Sequence, residues 1–82
     1  MTEAQLKSFP AFRQLPIYAE HDPRTNSIAT VAGSKQYRRI CECATIEQVE
    51  NCLKDARWVP LGAVRAGSDE EPIVVAYFGA DS

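Results

Sequence analysis

Cys41, Cys43, Cys52 and the single histidine, His21, are the side chains of this sequence best suited to chemistry. Together they make a chemically sound Cys3His set for tetrahedral zinc. Their spacing argues against that use. Structural zinc ligands usually come in pairs on a turn, as Cys-x-x-Cys, whereas Cys41 and Cys43 flank one residue in the stretch "RICEC" (39–43). On a strand those two thiols share a face, and a helix packed on that face brings Cys52 to them. Free cysteines pack as small hydrophobes, so a cluster of reduced, structural thiols is the expected arrangement. Cysteine-based metal binding or redox chemistry is the alternative. His21 is the one candidate base, and only Glu20 and Asp22 beside it offer a carboxylate.

The basic stretch "KQYRR" (35–39) surrounds Tyr37 with Lys35, Arg38 and Arg39, a combination found in binders of single-stranded nucleic acid. Basic side chains on an exposed strand also oppose edge-to-edge aggregation, and a formal net charge of −2 supplies no long-range field for phosphates. Nucleic-acid binding is therefore disfavoured. Nothing in the chain forms a Gly-rich phosphate loop, a paired-carboxylate motif or a nucleophile elbow. The chain is not expected to be an enzyme or to carry a cofactor.

The 82 residues, 45% of them hydrophobic and 24% charged, suit one small folded domain spanning 1–82. A chain this short buries only about 60–65% of the surface that its unfolded form exposes, so its core is thin. The opening "MTEAQLKSFP" has no basic, apolar signal-peptide pattern, and no apolar run approaches the roughly 20 residues of a membrane helix. A reducing, cytoplasmic setting is the expectation, without membrane contact.

Several elements must position these residues. Residues 35–43 read as a strand and "ATIEQVENCLKDA" (44–56) as a helix, with Thr45 as N-cap and Gln48 completing a capping box. Ile46, Val49, Leu53 and Ala56 share its apolar face, and Cys52 borders it. Residues 58–66 predict a strand, "GSDEE" (67–71) an exposed turn, and "PIVVAYFG" (72–79) a strand with apolar residues toward both faces, hence central in its sheet. Gly79 and the last three residues are expected to fray. Upstream, "TEAQLKSF" begins a short helix limited by Pro10, and "LPIYAE" (15–20) with "SIATVA" (27–32) predict a hairpin around "HDPRTN".

The only tryptophan, Trp58, opens "WVPLGAV" (58–64) at a helix-to-strand junction. It is expected to be mostly buried, covering the end of the helix and the sheet together. Pro60 predicts a strand with one side unpaired or a bulge, and Gly62 a close backbone approach or the twist of a bulge. The run of Tyr37, the helix from Thr45 to Leu53, then Trp58, Pro60, Leu61, Gly62, Val64, Tyr77 and Phe78 resembles a family of small bacterial domains of unknown function with a Gly-Trp-x-Pro-Leu-Gly-Gly-Val signature. The resemblance covers residues 37–78. Arg57 and Ala63 stand where that family has glycine. It implies a β-α-β-β unit and brings no activity.

The expected architecture is an α+β two-layer sandwich: a mainly antiparallel sheet (β-hairpin, then β-α-β-β) with one helix packed across one face. One helix leaves the other face short of cover, and the two prolines of "SFPAFRQLP" make the N-terminal segment a poor covering helix. A second copy of the chain is the expected cover, giving a homodimer. The functional expectation is a small, non-enzymatic interaction protein that self-associates and binds a protein or small molecule, suited to an accessory role in a bacterium, phage or mobile element. Its candidate binding residues are Trp58, Tyr37, Arg39, Tyr77 and Phe78.

Overall fold

The N-terminal turn is set by a reciprocal cap. Thr2 Oγ1 accepts from the Gln5 N–H at 3.2 Å, and Gln5 Oε1 accepts from the Thr2 N–H at 2.9 Å. The helix so begun, α1 (Glu3–Lys7), is short, and Pro10 starts a separate 3-10 turn, Pro10–Phe12. The Lys7 ammonium donates to the carbonyls of Phe12 (3.0 Å), Arg13 (3.3 Å) and Leu15 (2.9 Å), tying the turn back onto α1. The computed structural model that shows this describes residues 1–19, Ile28 and residues 37–81.

Among the described residues, the elements that follow are β1 (Ile17–Tyr18), β2 (Tyr37–Cys43), α2 (Ile46–Lys54), β3 (Trp58–Arg65) and β4 (Val74–Asp81). The sheet order is β1-β3-β4-β2, with β4 antiparallel to both neighbours and β1 parallel to β3. This is the expected α+β class, a mostly antiparallel sheet with one main helix. β4 is central, as its two-sided apolar pattern required, but it starts two residues later than predicted and stays paired to Asp81 rather than fraying.

The first half of the chain departs from expectation. Ile17 and Tyr18 pair in parallel with Ala63 and Val64, a partner the local pattern did not indicate. Ile28 has helical backbone; the rest of the predicted 27–32 strand lies outside the described residues, as does His21. The reason lies in β3, which offers an open flank where its backbone can be approached. The Pro16 carbonyl accepts from the Ala63 N–H at 3.1 Å. A Cβ at Gly62 would sit 2.7 Å from that same oxygen, and Gly62 has φ +148°, so glycine is required on both counts. Pro60 pairs with Phe78 and Gly62 with Tyr77, which leaves Leu61 as the extra residue of a bulge. β3 is thus internal only at Ala63 and Val64; Pro60 lies beside the bulge and, among the described residues, has no strand partner on the side away from β4, as its missing N–H requires.

The bulge divides the core between the two faces. On the first face, Leu6, Phe12, Cys43, Val49, Ala63, Val74, Ala76 and Phe78 pack together. Phe12 meets Phe78 edge-on, with centroids 5.3 Å apart and planes at 76°. On the second face, Ile28, Leu61, Val64 and Tyr77 form a smaller cluster flanked by Tyr18, Tyr37, Ile40 and Val75. The proline-rich N-terminal segment therefore does cover the sheet. It does so beside α2 on the first face, because a 3-10 turn, not a helix, delivers Phe12.

Phe12→Ala should cost about 3–5 kcal/mol, the usual range for a buried aromatic. Gly62→Ala should cost about 1–3 kcal/mol from backbone strain alone, since no rotamer relieves it. Urea unfolding followed by far-ultraviolet circular dichroism checks both. A Gly62→Ala midpoint equal to the parent's would contradict the close approach of Pro16.

Candidate functional site

The thiols do converge. Cys41 and Cys43 alternate onto the first face of β2, and α2 lays Cys52 over them. Its N-terminus is fixed by Thr45 Oγ1 accepting from the Gln48 N–H at 3.2 Å, and Gln48 Oε1 accepting from the N–H groups of Thr45 (3.1 Å) and Ala44 (2.8 Å). Val49 is buried beneath the helix, and Cys52 and Leu53 pack partly buried against the same cluster. The predicted apolar stripe holds at Val49 and Leu53 but not at its ends, where Ile46 and Ala56 are exposed. The Sγ atoms of Cys43 and Cys52 are 3.3 Å apart, a thiol–thiol hydrogen bond in which either can donate. All three cysteines are free.

Burial pushes the Cys43 thiol up to about 12, aided by the hydrogen bond and charge of Cys52 and by Cys41. Burial also raises Cys41, as does Cys52, with Arg39 pulling the other way. Cys41 and Cys43 are thus held in their thiol forms at neutral pH. Among the described residues no group of three His, Cys, Asp or Glu side chains is arranged to hold a metal ion.

The other candidates separate by face and by burial. Phe78 is fully buried against Phe12, and Tyr77 is 7% exposed, its hydroxyl donating to Glu42 Oε1 at 3.3 Å. Burial, then Glu42, raises the Tyr77 phenol above its ordinary value. Both rings are buried within the chain. Tyr37 lies over Gly79 on the second face: a Cβ there would meet its ring at 2.6 Å, so glycine makes its seat. Trp58 is half-buried rather than mostly buried. It rests on the edge of the first-face core, and it pairs with Ala80 across the strand. Arg39 pairs with Ala80 from the other side and is exposed. Trp58 and Arg39 therefore flank one residue on the same face, their Cα atoms about 10 Å apart by ordinary strand spacing.

The chain reaches Trp58 without a glycine turn. Asp55 ends α2 in extended conformation, its carboxylate accepting from the Arg57 N–H (3.0 Å), Nε (3.2 Å) and Nη2 (2.9 Å). The Arg57 side-chain hydrogen bonds hold the Asp55 carboxyl below the usual carboxylate range. Arg57 and Asp55 thus replace the turn that a glycine at 57 would make.

Sequence reasoning missed one concavity, a groove of about 420 Å3 between the start of α1 and the β3–β4 turn. Glu3, Arg65, Asp69 and Ile73 line it. Its only advance signal was the polar turn at 67–71.

No family model, curated protein or solved structure matches this chain.

The thiol cluster sets a pH dependence. The unfolded chain loses the Cys43 proton near the ordinary value of 9, while the folded chain keeps it to about 12. The folded state binds more protons in that window, so stability falls as pH rises through it, by up to about 1.4 kcal/mol per pH unit. Below pH 9 the group contributes no slope. The urea midpoint in the presence of reductant should drop between pH 9 and 10, and Cys43→Ala should flatten that drop. An unchanged slope in the variant would assign the effect to other groups.

Proposed function

We propose that this chain is a non-enzymatic interaction protein that self-associates through the end of its sheet carrying Trp58 and Arg39. The observation that supports the reading is the pairing of a half-buried tryptophan with an exposed arginine on either side of Ala80. Tryptophan, tyrosine and arginine carry much of the binding energy at protein interfaces, because they combine large apolar area with a polar handle. Tyr37, on the opposite face of the same sheet end, extends the surface around the strand termini. Among the described residues, β3 between Trp58 and Leu61 has no neighbour on the side away from β4, because β1 reaches only Ala63 and Val64. Pro60 there lacks an N–H, which disfavours strand addition and favours contact through side chains.

A second copy of the chain is the partner proposed, with a further protein or small molecule bound by the assembly. Kinship with the small bacterial Trp-x-Pro-Leu-Gly domains belongs to the same proposal, supported by the strand–helix–strand–strand order from Tyr37 to Asp81. So does an accessory role in a bacterium, phage or mobile element. No membrane contact is proposed, and no helix among the described residues is long and apolar enough to cross one.

Sedimentation velocity at micromolar concentration, with reductant, is the test. A dimer is expected, and Arg39→Glu should weaken it at least tenfold, which is about 1.4 kcal/mol, without changing the circular dichroism. A monomer throughout the micromolar range removes self-association from the proposal.

A further inference from the structure

Two thiols of different exposure meet at the junction of α2 and β2. Cys43, at the end of β2, is 2% exposed. Cys52, in the last turn of α2, is only half-buried and lies with its Sγ 3.3 Å from that of Cys43. A disulfide needs about 2.05 Å between sulfurs, and the 3.3 Å contact already brings the two thiols to within about 1.3 Å of that length. Cys41 shares the face but is held apart in role: its first electrostatic neighbours are Cys52 and Arg39, and no hydrogen bond joins it to either thiol among the described residues.

We propose that Cys43 and Cys52 form a redox-active dithiol, oxidised by exchange with a small-molecule disulfide, with Cys52 the attacking thiol and Cys43 the resolving one. The Cys52 thiolate attacks one sulfur of the small disulfide, forming a mixed disulfide and expelling the first small thiolate. That thiolate takes up the Cys43 proton through solvent. The Cys43 sulfur then attacks Cys52 Sγ, the mixed disulfide breaks, and the second small thiolate leaves and is protonated. The two protein thiols give up two electrons and two protons, and the small disulfide becomes two thiols. Burial explains the division of labour. Cys43 is shielded from reagents and stays protonated, so it reacts only with a sulfur already placed beside it. The product is a covalent staple between the helix and the sheet.

The inference is independent of self-association, which is measured with reductant present. The native protein, freed of reductant, is incubated with excess oxidised glutathione at mildly alkaline pH. Its free thiols should fall from three to one. The mass should drop by two hydrogens without a glutathione adduct, and peptide mapping should place the bond at Cys43–Cys52. Cys41→Ser should close in the same way. Cys52→Ser, which alters a partly exposed side chain and should keep the parent circular dichroism, should form no intramolecular bond. A lasting glutathione adduct on Cys52, a bond that uses Cys41, or crosslinking only after unfolding in urea would each overturn the proposal.

Discussion

The contact between the Pro16 carbonyl and the backbone of Gly62 and Ala63 governs how the first nineteen residues join the rest. A side chain at Gly62 would occupy the place of that oxygen. Without the approach, β1 has no partner, and the N-terminal segment is held only by Leu6 and Phe12 in the core and by Met1 against Val74 and Ala44. The same glycine sits in the bulge that leaves Leu61 unpaired and turns both Leu61 and Gly62 toward the second face. One residue without a Cβ thus fixes the docking of the N-terminal segment and the division of the core. Tyr18, whose ring also approaches Gly62, joins the second cluster as a direct result.

α2 is positioned by a different logic. Its start is locked by the reciprocal Thr45–Gln48 cap, and its exit by the Asp55 carboxylate gripping Arg57. Between those two fixed ends the helix has little freedom to rotate, so Val49 points into the core and Cys52 onto Cys43. The thiol contact is therefore a consequence of capping chemistry several residues away. It is also dry enough on the Cys43 side that ionisation is suppressed.

Much of this could be read from the chain. The spacing of Thr45 and Gln48, and of Val49 and Leu53, specified the helix and its buried face. The unbroken apolar run at 73–78 specified a central strand. Pro60 and Gly62 together signalled a bulge. What could not be read depends on distant approach. "LPIYAE" has strand-forming residues, and its nearest apolar neighbour in sequence suggested a hairpin, yet its partner is β3, some forty-five residues on. The prolines around Phe12 argued against a covering helix and concealed a 3-10 turn that serves equally well. Trp58 was expected to be a core plug because of its size, but the core it touches is already filled by Phe12 and Phe78, so the indole stays at the margin. At the candidate site, the convergence of Cys41, Cys43 and Cys52 followed from strand alternation. The pairing of Trp58 with Arg39 required the register of β4, which no local pattern encodes.

The central position of β4 bears on how the chain folds. β2 and β3 are close in sequence but are never neighbours in the sheet, because β4, the later strand, lies between them. The connection from β2 through α2 to β3 therefore leaves a gap one strand wide, and until β4 arrives β2 has no ladder and β3 only its short pairing with β1. Local contacts alone give only the α2 turn and the β3–β4 hairpin. The remaining pairings join residues 33 to 46 positions apart, which raises the loop-closure cost of the folding barrier. Such a topology favours an all-or-none transition nucleated by the β3–β4 hairpin. A nascent chain that has not yet released β4 would hold its earlier apolar segments without a sheet to receive them, the condition in which small β-containing domains depend most on speed of synthesis and on chaperones.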